Sequence, residues 1–203
     1  MLPEILAREP VVQGKWLNLF SLTYTTHEGE TKRHPQFERP IKAGQERLSS
    51  GADIIALGLG TDGRVKIVLE IIYRVPVEKY LIQLPAGMRD EHERDLVVCA
   101  ARELKEETGY LSKPPYSPKI LALQPLLESP ILYNDPWKSN ETTNLVTLEV
   151  DLSSGKGDAN LEDDEDIEVI VCDLLNLDEE LRKYAGIEVD NRVCQLAMGM
   201  QVA

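Results

Sequence analysis

Apolar and polar positions divide this chain into stretches of different period. Residues 52–59 and 64–73 are nearly continuous apolar runs, which predict two buried strands. Thr61-Asp62-Gly63 lies between them, and Asp-Gly supplies the positive-φ positions of a tight hairpin turn. Residues 80–84, 144–152 and 167–172 are further apolar-rich runs that predict strands, and another is expected at 120–124. From Asp95 the period lengthens. Leu96, Cys99, Ala100 and Leu104 recur at helical spacing, Asp95 can cap the first turn, and Gly109 suits the residue just past the end. A helix is therefore predicted up to Thr108. Two more helical stretches, 178–184 and 190–202, finish the chain.

The first 50 residues are patterned differently. Residues 1–13 read as an irregular arm, 14–25 as a strand rich in Leu, Phe, Tyr and Thr, and 31–39 as a second, polar strand. His27-Glu28-Gly29-Glu30 is the turn between them, and 42–51 separates this ribbon from the rest. A ribbon of this size cannot bury enough surface to stand alone, so it is expected to pack on the main domain or on a second subunit. Residues 125–143, with Pro, Asn, Asp and Ser, predict a long loop of the kind that is functional or mobile.

Length and composition then narrow the class. With 203 residues, 42% apolar and 28% charged, the chain is expected to be one globular domain, or one domain plus a small appendage. No apolar run approaches membrane-spanning length, and Met1-Leu2-Pro3-Glu4-Ile5 carries no basic segment leading into an apolar one. Cys99, Cys172 and Cys194 are odd in number and lack metal-type spacing, which predicts reduced core thiols in an intracellular protein, cytoplasmic or nuclear. His27, His34 and His92 are scattered and form no histidine-based site.

The net charge of −13 is mostly local. Eleven acidic residues, from Asp158 to Glu180, and no Lys or Arg fall within 157–181, whereas the remainder holds 24 acids against 22 bases. That segment repels a polyanion and no basic stripe offsets it, so nucleic acid is excluded as a partner.

One run carries the chemistry: Arg102-Glu103-Leu104-Lys105-Glu106-Glu107-Thr108-Gly109-Tyr110. Glu103, Glu106 and Glu107 stand at i, i+3 and i+4, so a helix presents the three carboxylates on one side. Such crowding is unfavourable unless positive charge sits among them, and hard divalent cations take oxygen ligands of this kind. A solvated, Glu-rich helix end is the plain alternative. Arg102 before the cluster, Gly109 after it and Leu84-Pro85-Ala86-Gly87 upstream favour chemistry.

Strand, Pro-Ala-Gly, helix and three glutamates together resemble the Nudix hydrolase signature. Gly87 and Glu93 keep the family spacing, one extra residue separates Glu93 from Arg102, and 102–110 matches throughout. Leu84-Pro85-Ala86-Gly87 is similar to the ADP-ribose pyrophosphatase branch. So are Gly14-Lys15-Trp16, Tyr73-Arg74-Val75-Pro76, Asp135-Pro136 with Ser139-Asn140, and Glu165 just ahead of Glu168-Val169-Ile170. The resemblance spans roughly residues 14 to 200.

It implies an α/β protein, a Nudix αβα sandwich with a mixed β-sheet (51–203) carrying a small N-terminal β ribbon (1–50) that completes a homodimer. It implies Mg²⁺, with Mn²⁺ as the alternative, bound by Glu103 and Glu107 and the backbone carbonyl of Ala86, with Glu106 taking part. Glu93 would hold Arg102. Glu165 would reach the metals or orient the attacking water. Trp16 would stack on adenine, Arg39 and Arg74 would contact charged or sugar portions, and Met88 and Asp135 fall at other substrate-contacting positions. His34 stands where a second stacking tryptophan is expected, Gln83 replaces an acidic residue, and Trp137 replaces a glycine.

The reaction implied is hydrolysis of the pyrophosphate of ADP-ribose, or a related ADP-sugar, to AMP and ribose 5-phosphate. Divalent cations would neutralise the pyrophosphate, lower the pKa of a bound water and align the oxygens. Two other readings remain open: hydrolysis of another nucleoside diphosphate derivative such as an oxidised nucleotide, and a Nudix-derived nucleotide sensor with little turnover. No membrane partner is implied.

Overall fold

The computed structural model describes residues 2–40, 51–90, 93, 95–113, 128–161 and 166–201. The expected strand at 120–124, most of the separator at 42–51, and Glu165 lie outside the described residues. Internal contacts divide the chain into two units, one of residues 1–50 and 131–143, the other of 51–130 and 144–203.

The first unit is built on an antiparallel sheet of β1 (Ile5–Gln13), β2 (Asn18–Thr25) and β3 (Thr31–Glu38), in that order. The irregular arm expected at 1–13 is therefore corrected to a strand. Its side chains are mostly exposed, so burial leaves no alternation to read. Pairing from Ile5↔Tyr24 to Gln13↔Asn18 defines it, with irregularities at Ile5/Ala7 and Pro10/Val12. The second interrupts the ladder beside Pro10, which has no amide hydrogen to donate. The expected strand at 14–25 starts later, because Gly14 N–H donates to Leu17 O (3.1 Å) and closes a turn. Residues 131–143 join this unit: Phe37 N–H donates to Lys138 O (2.8 Å) and Asn140 Nδ2 to Glu38 Oε2 (3.1 Å).

The second unit is a mixed sheet between helices. β4 (Gly51–Leu59) and β5 (Val65–Arg74) form the expected hairpin, with Gly63 at φ 72° in its turn. β6 (Lys79–Gln83) follows, and Leu84-Pro85 carries the chain into β7 (Ala86–Met88), then α1 (Leu96–Thr108). The long loop expected over 125–143 is corrected in its described part. β8 (Leu132–Tyr133) pairs antiparallel with the first two residues of β9 (Thr142–Val150), inside the first unit. β10 (Ile167–Asp173), α2 (Leu177–Leu181), β11 (Glu188–Val189) and α3 (Asn191–Met200) complete the order.

One edge of β5 is lined by β10, and the other by β4 along its first half and β6 along its second. β4 in turn runs parallel to β9 and, at its start, antiparallel to β7. Strand periodicity separates the two faces. Ala52, Ile54, Ala56, Val68, Val146 and Leu148 pack with Leu96, Ala100 and Leu104 of α1. Leu57, Ile67, Leu69 and Ile71 pack with Leu177 of α2 and with Val193 and Ala197 of α3. The result is an αβα sandwich, as the sequence predicts. No helix among the described residues is long and apolar enough to cross a membrane. Cys99 and Cys172 are buried thiols, but Cys194 is exposed on α3 and corrects the expectation of three core cysteines.

Candidate active site

The site in the second unit is a helix laid against a three-residue strand. Asp95 caps α1 by accepting from Val97 N–H (2.9 Å), and Gly109, at φ 72°, ends it with its N–H on Lys105 O. Burial of Leu96, Val97, Ala100 and Leu104 sets the rotation of this helix. The same rotation turns Glu103 and Glu107 towards β7, whose place is fixed by Ala52↔Gly87 and Asp53↔Ala86 pairing with β4. Glu107 is buried and its Oε2 accepts from Ala86 N–H (3.0 Å). Glu103 lies so close over Gly87 that a Cβ built there would overlap its carboxylate. Gly87 thus leaves room for the Glu103 side chain in this position, with no positive φ involved.

Arg102 fans into the acidic groups. Its Nε and Nη2 donate to Glu93 Oε1 (2.8 Å) and Oε2 (2.9 Å), and its Nη1 lies 2.8 Å from Glu103 Oε1 and 2.9 Å from Glu106 Oε2. Nη2 also donates to Met88 O (3.0 Å). The Arg102 hydrogen bonds hold Glu93 well below the usual carboxylate range, at about 2. Glu103 moves the opposite way: burial raises its pKa, Arg102 opposes the shift, and Glu106 and Glu93 add to it.

A hard cation fits this donor set. Glu103 and Glu107 offer carboxylate oxygens from one helix face, and Glu103 is a carboxylate whose charge burial disfavours, which an adjacent cation would restore. Among the described residues no three acidic, His or Cys side chains already converge as a ligand set. Arg102 occupies the middle of the cluster.

The first part of the acidic loop, which follows β9, is pinned to the C-terminal end of this helix. Asn160 N–H donates to Glu106 O (2.8 Å) and Gly157 N–H to Gly109 O (3.0 Å). Gly109 needs its missing side chain twice over, for φ and because a Cβ would strike Gly157 O. Glu165 lies beyond the described part of that loop.

Arg74, at the end of β5, sends Nε to Gln83 Oε1 (2.8 Å), and Gln83 Nε2 donates to buried Glu70 Oε1 (2.5 Å). Sequence reasoning missed Glu70, although it is the one acidic residue in the run of 64–73, and that was its signal.

The remaining candidates belong to the first unit. Trp16 is 72% exposed with Lys15 Nζ 4.2 Å from its ring centroid. Arg39 Nε is ion-paired with Glu141 Oε1 (2.6 Å), and Asp135 with Lys138. His34 is exposed, its Nδ1 2.6 Å from Pro35 O, and Trp137 is exposed with Lys138 above its ring.

This strand–Gly–helix arrangement is matched elsewhere. The sequence profile of the NUDIX domain covers residues 53–191, and the chain belongs to that family. It is 35% identical to the ADP-ribose pyrophosphatase of Saccharomyces cerevisiae over 93% of this chain and 78% of the other. It is 31% identical to a nudix hydrolase of Caenorhabditis elegans, covering 98% of this chain and 86% of that one. Among solved structures, a crystal structure of an ADP compounds hydrolase superposes with a TM-score of 0.68 at 17% identity, over 98% of this chain and 92% of that chain, which is a likeness of fold.

Proposed function

We propose that this protein hydrolyses the pyrophosphate bond of ADP-ribose, or of a related ADP-sugar, adding water to give AMP and ribose 5-phosphate. The observation that carries this reading is the seating of Glu103 and Glu107 on the Ala86-Gly87 strand. The relative in Saccharomyces cerevisiae, an ADP-ribose pyrophosphatase, supports the choice of substrate.

Glu103, Glu107 and the backbone of Ala86 would hold Mg²⁺, with Glu106 at the rim of the cluster. When bound, the ion supplies charge neutralisation of the pyrophosphate and a water of lowered pKa. Arg102, held by Glu93, keeps Glu103 and Glu106 in register on the helix. Glu165 is assigned the proton of the attacking water, and the anchoring of its loop at Asn160 on Glu106 O supports that role. Arg74 and Met88 in the second unit, and Trp16, Arg39 and Asp135 in the first, are assigned to substrate binding. The first unit is further assigned to a homodimer interface, since Ile5, Leu6, Val11 and Val12 of β1 leave apolar surface exposed.

The deciding experiment incubates the protein with Mg²⁺ or Mn²⁺ and a panel of ADP-ribose, other ADP-sugars and oxidised nucleoside diphosphates. AMP and ribose 5-phosphate should appear from ADP-ribose and cease on chelation. Faster cleavage of an oxidised nucleotide moves the assignment to that substrate, and binding of ADP-ribose without cleavage moves it to a sensor. A chain that sediments as a monomer at micromolar concentration overturns the dimer.

A further inference from the structure

Glu70 and Gln83 face each other across the β5–β6 ladder, and both are buried, at 0% and 7% exposure. Val68, two residues before Glu70 and so on the same face, packs in the core cluster of α1. Arg74 follows on that face after two further steps of two, and its side chain lies back along its own strand to reach Gln83. The three side chains form a chain with one possible sense. A guanidinium only donates, so Gln83 Oε1 is the acceptor for Arg74 Nε and its Nε2 is left to donate to Glu70. Glu70 and Arg74 together thereby fix which way the amide points, and the anchored amide holds Arg74.

Arg74 uses only Nε in this contact. Among the described residues its Nη1 and Nη2 have no hydrogen bond or ion pair. A guanidinium held through Nε with its two terminal nitrogens open is arranged as a fork for a pair of anionic oxygens, the form in which a phosphate or pyrophosphate is gripped. Three residues after Gln83 comes Ala86, whose N–H is on Glu107, so one short stretch of chain carries both the support of Arg74 and the backbone on which the glutamates sit.

We infer that Gln83 is a positioning residue for substrate binding, holding Arg74 so that its open nitrogens meet the phosphate oxygens of the substrate. This rests on the reading of Arg74 as a substrate contact. Gln83 also does what an acid in its place could not do without a proton. Two carboxylates at hydrogen-bond distance hold one proton between them, whereas the amide satisfies Glu70 and Arg74 with none.

The test is a double-mutant cycle on ADP-ribose turnover, with kcat and KM separated. Arg74→Ala should raise KM about tenfold or more. Gln83→Leu should raise KM by a similar factor with kcat within about twofold, and the double variant should be no worse than Arg74→Ala alone. Gln83→Glu keeps an acceptor for Arg74 Nε, so KM should stay near the wild-type value while the pair with Glu70 holds its one proton and rise at higher pH as that proton is lost. If Gln83→Leu folds poorly because it strips Glu70 of a donor, Glu70→Leu/Gln83→Leu replaces the buried pair with apolar side chains and should show the same KM. An unchanged KM in Arg74→Ala overturns the substrate contact and the inference with it. A raised KM in Arg74→Ala with an unchanged KM in Gln83→Leu or the paired variant, or additive effects in the cycle, overturns the positioning role alone.

Discussion

Glu93 and Arg102 meet in a two-pronged ion pair, with contacts of 2.8 and 2.9 Å, across one more residue than the Nudix signature places between them. The extra residue is taken up without separating the pair. Glu93 is also gripped by its own turn, since Asp90 N–H donates to its Oε2 (3.0 Å) and its amide donates to Asp90 O (3.1 Å).

Because Arg102 depresses the Glu93 pKa to about 2, the pair should write itself into the pH dependence of stability. A lowered carboxylate pKa stabilises the fold above the unfolded-state value and loses that contribution as pH falls through the folded value. Glu93→Gln should cost about 1.5–3 kcal/mol at pH 7, the range for hydrogen bonds to charged groups. The deficit should narrow as pH falls from about 4.5 towards 2. Urea unfolding of both proteins across this range measures it, and a gap of constant size would contradict the pairing.

Glu107→Gln is expected to separate folding from activity. The amide oxygen can still accept from Ala86 N–H, so stability should change by about 1 kcal/mol or less. If Glu107 helps hold the metal, losing its charge should lower kcat by about two to three orders of magnitude. Thermal unfolding and steady-state turnover of the same preparation read both quantities. Turnover like that of the wild type sinks the assignment of Glu107 as a ligand.

At Gly87 the contact is steric. Gly87→Ala puts a methyl group where the Glu103 carboxylate lies, so that side chain must swing away from β7. Overpacking of this kind costs about 1–3 kcal/mol, and a misplacement near 1 Å can cost about a hundredfold in rate. The expected result is a folded, slightly less stable protein with strongly reduced turnover. Full activity in this variant means the close approach is not used.

Trp16 offers an exposed indole, so Trp16→Ala should leave stability within about 0.5 kcal/mol. If the ring stacks on adenine, losing it should weaken ADP-ribose binding by about 1–3 kcal/mol, the range for base–aromatic stacking. Titration calorimetry in Ca²⁺ or another ion that does not support turnover separates binding from cleavage. Unchanged affinity removes Trp16 from the site.

The parts legible in the sequence were those with a strong local signal. The apolar runs of β4 and β5, Asp62-Gly63 between them, and α1 with Asp95 and Gly109 at its ends were all readable from period and capping chemistry. β1 was not, because a strand whose side chains are exposed on both sides carries no alternation, and only pairing with β2 defines it. β7 and β11 are too short for a pattern and exist because β4 and β6 offer them an edge. At the candidate site, the placing of Glu103 and Glu107 on one side of α1 could be read from helical spacing. The role of Gly87 as clearance for Glu103 and the link from Glu70 through Gln83 to Arg74 depend on tertiary contacts that spacing does not contain.

Arg102 has a consequence for the life of the protein outside turnover. It brings to Glu93, Glu103 and Glu106 a positive charge that belongs to the chain itself. Folding of α1 therefore gathers these glutamates with part of their mutual repulsion already offset from within the chain, so the helix face stands as a finished scaffold on its own account.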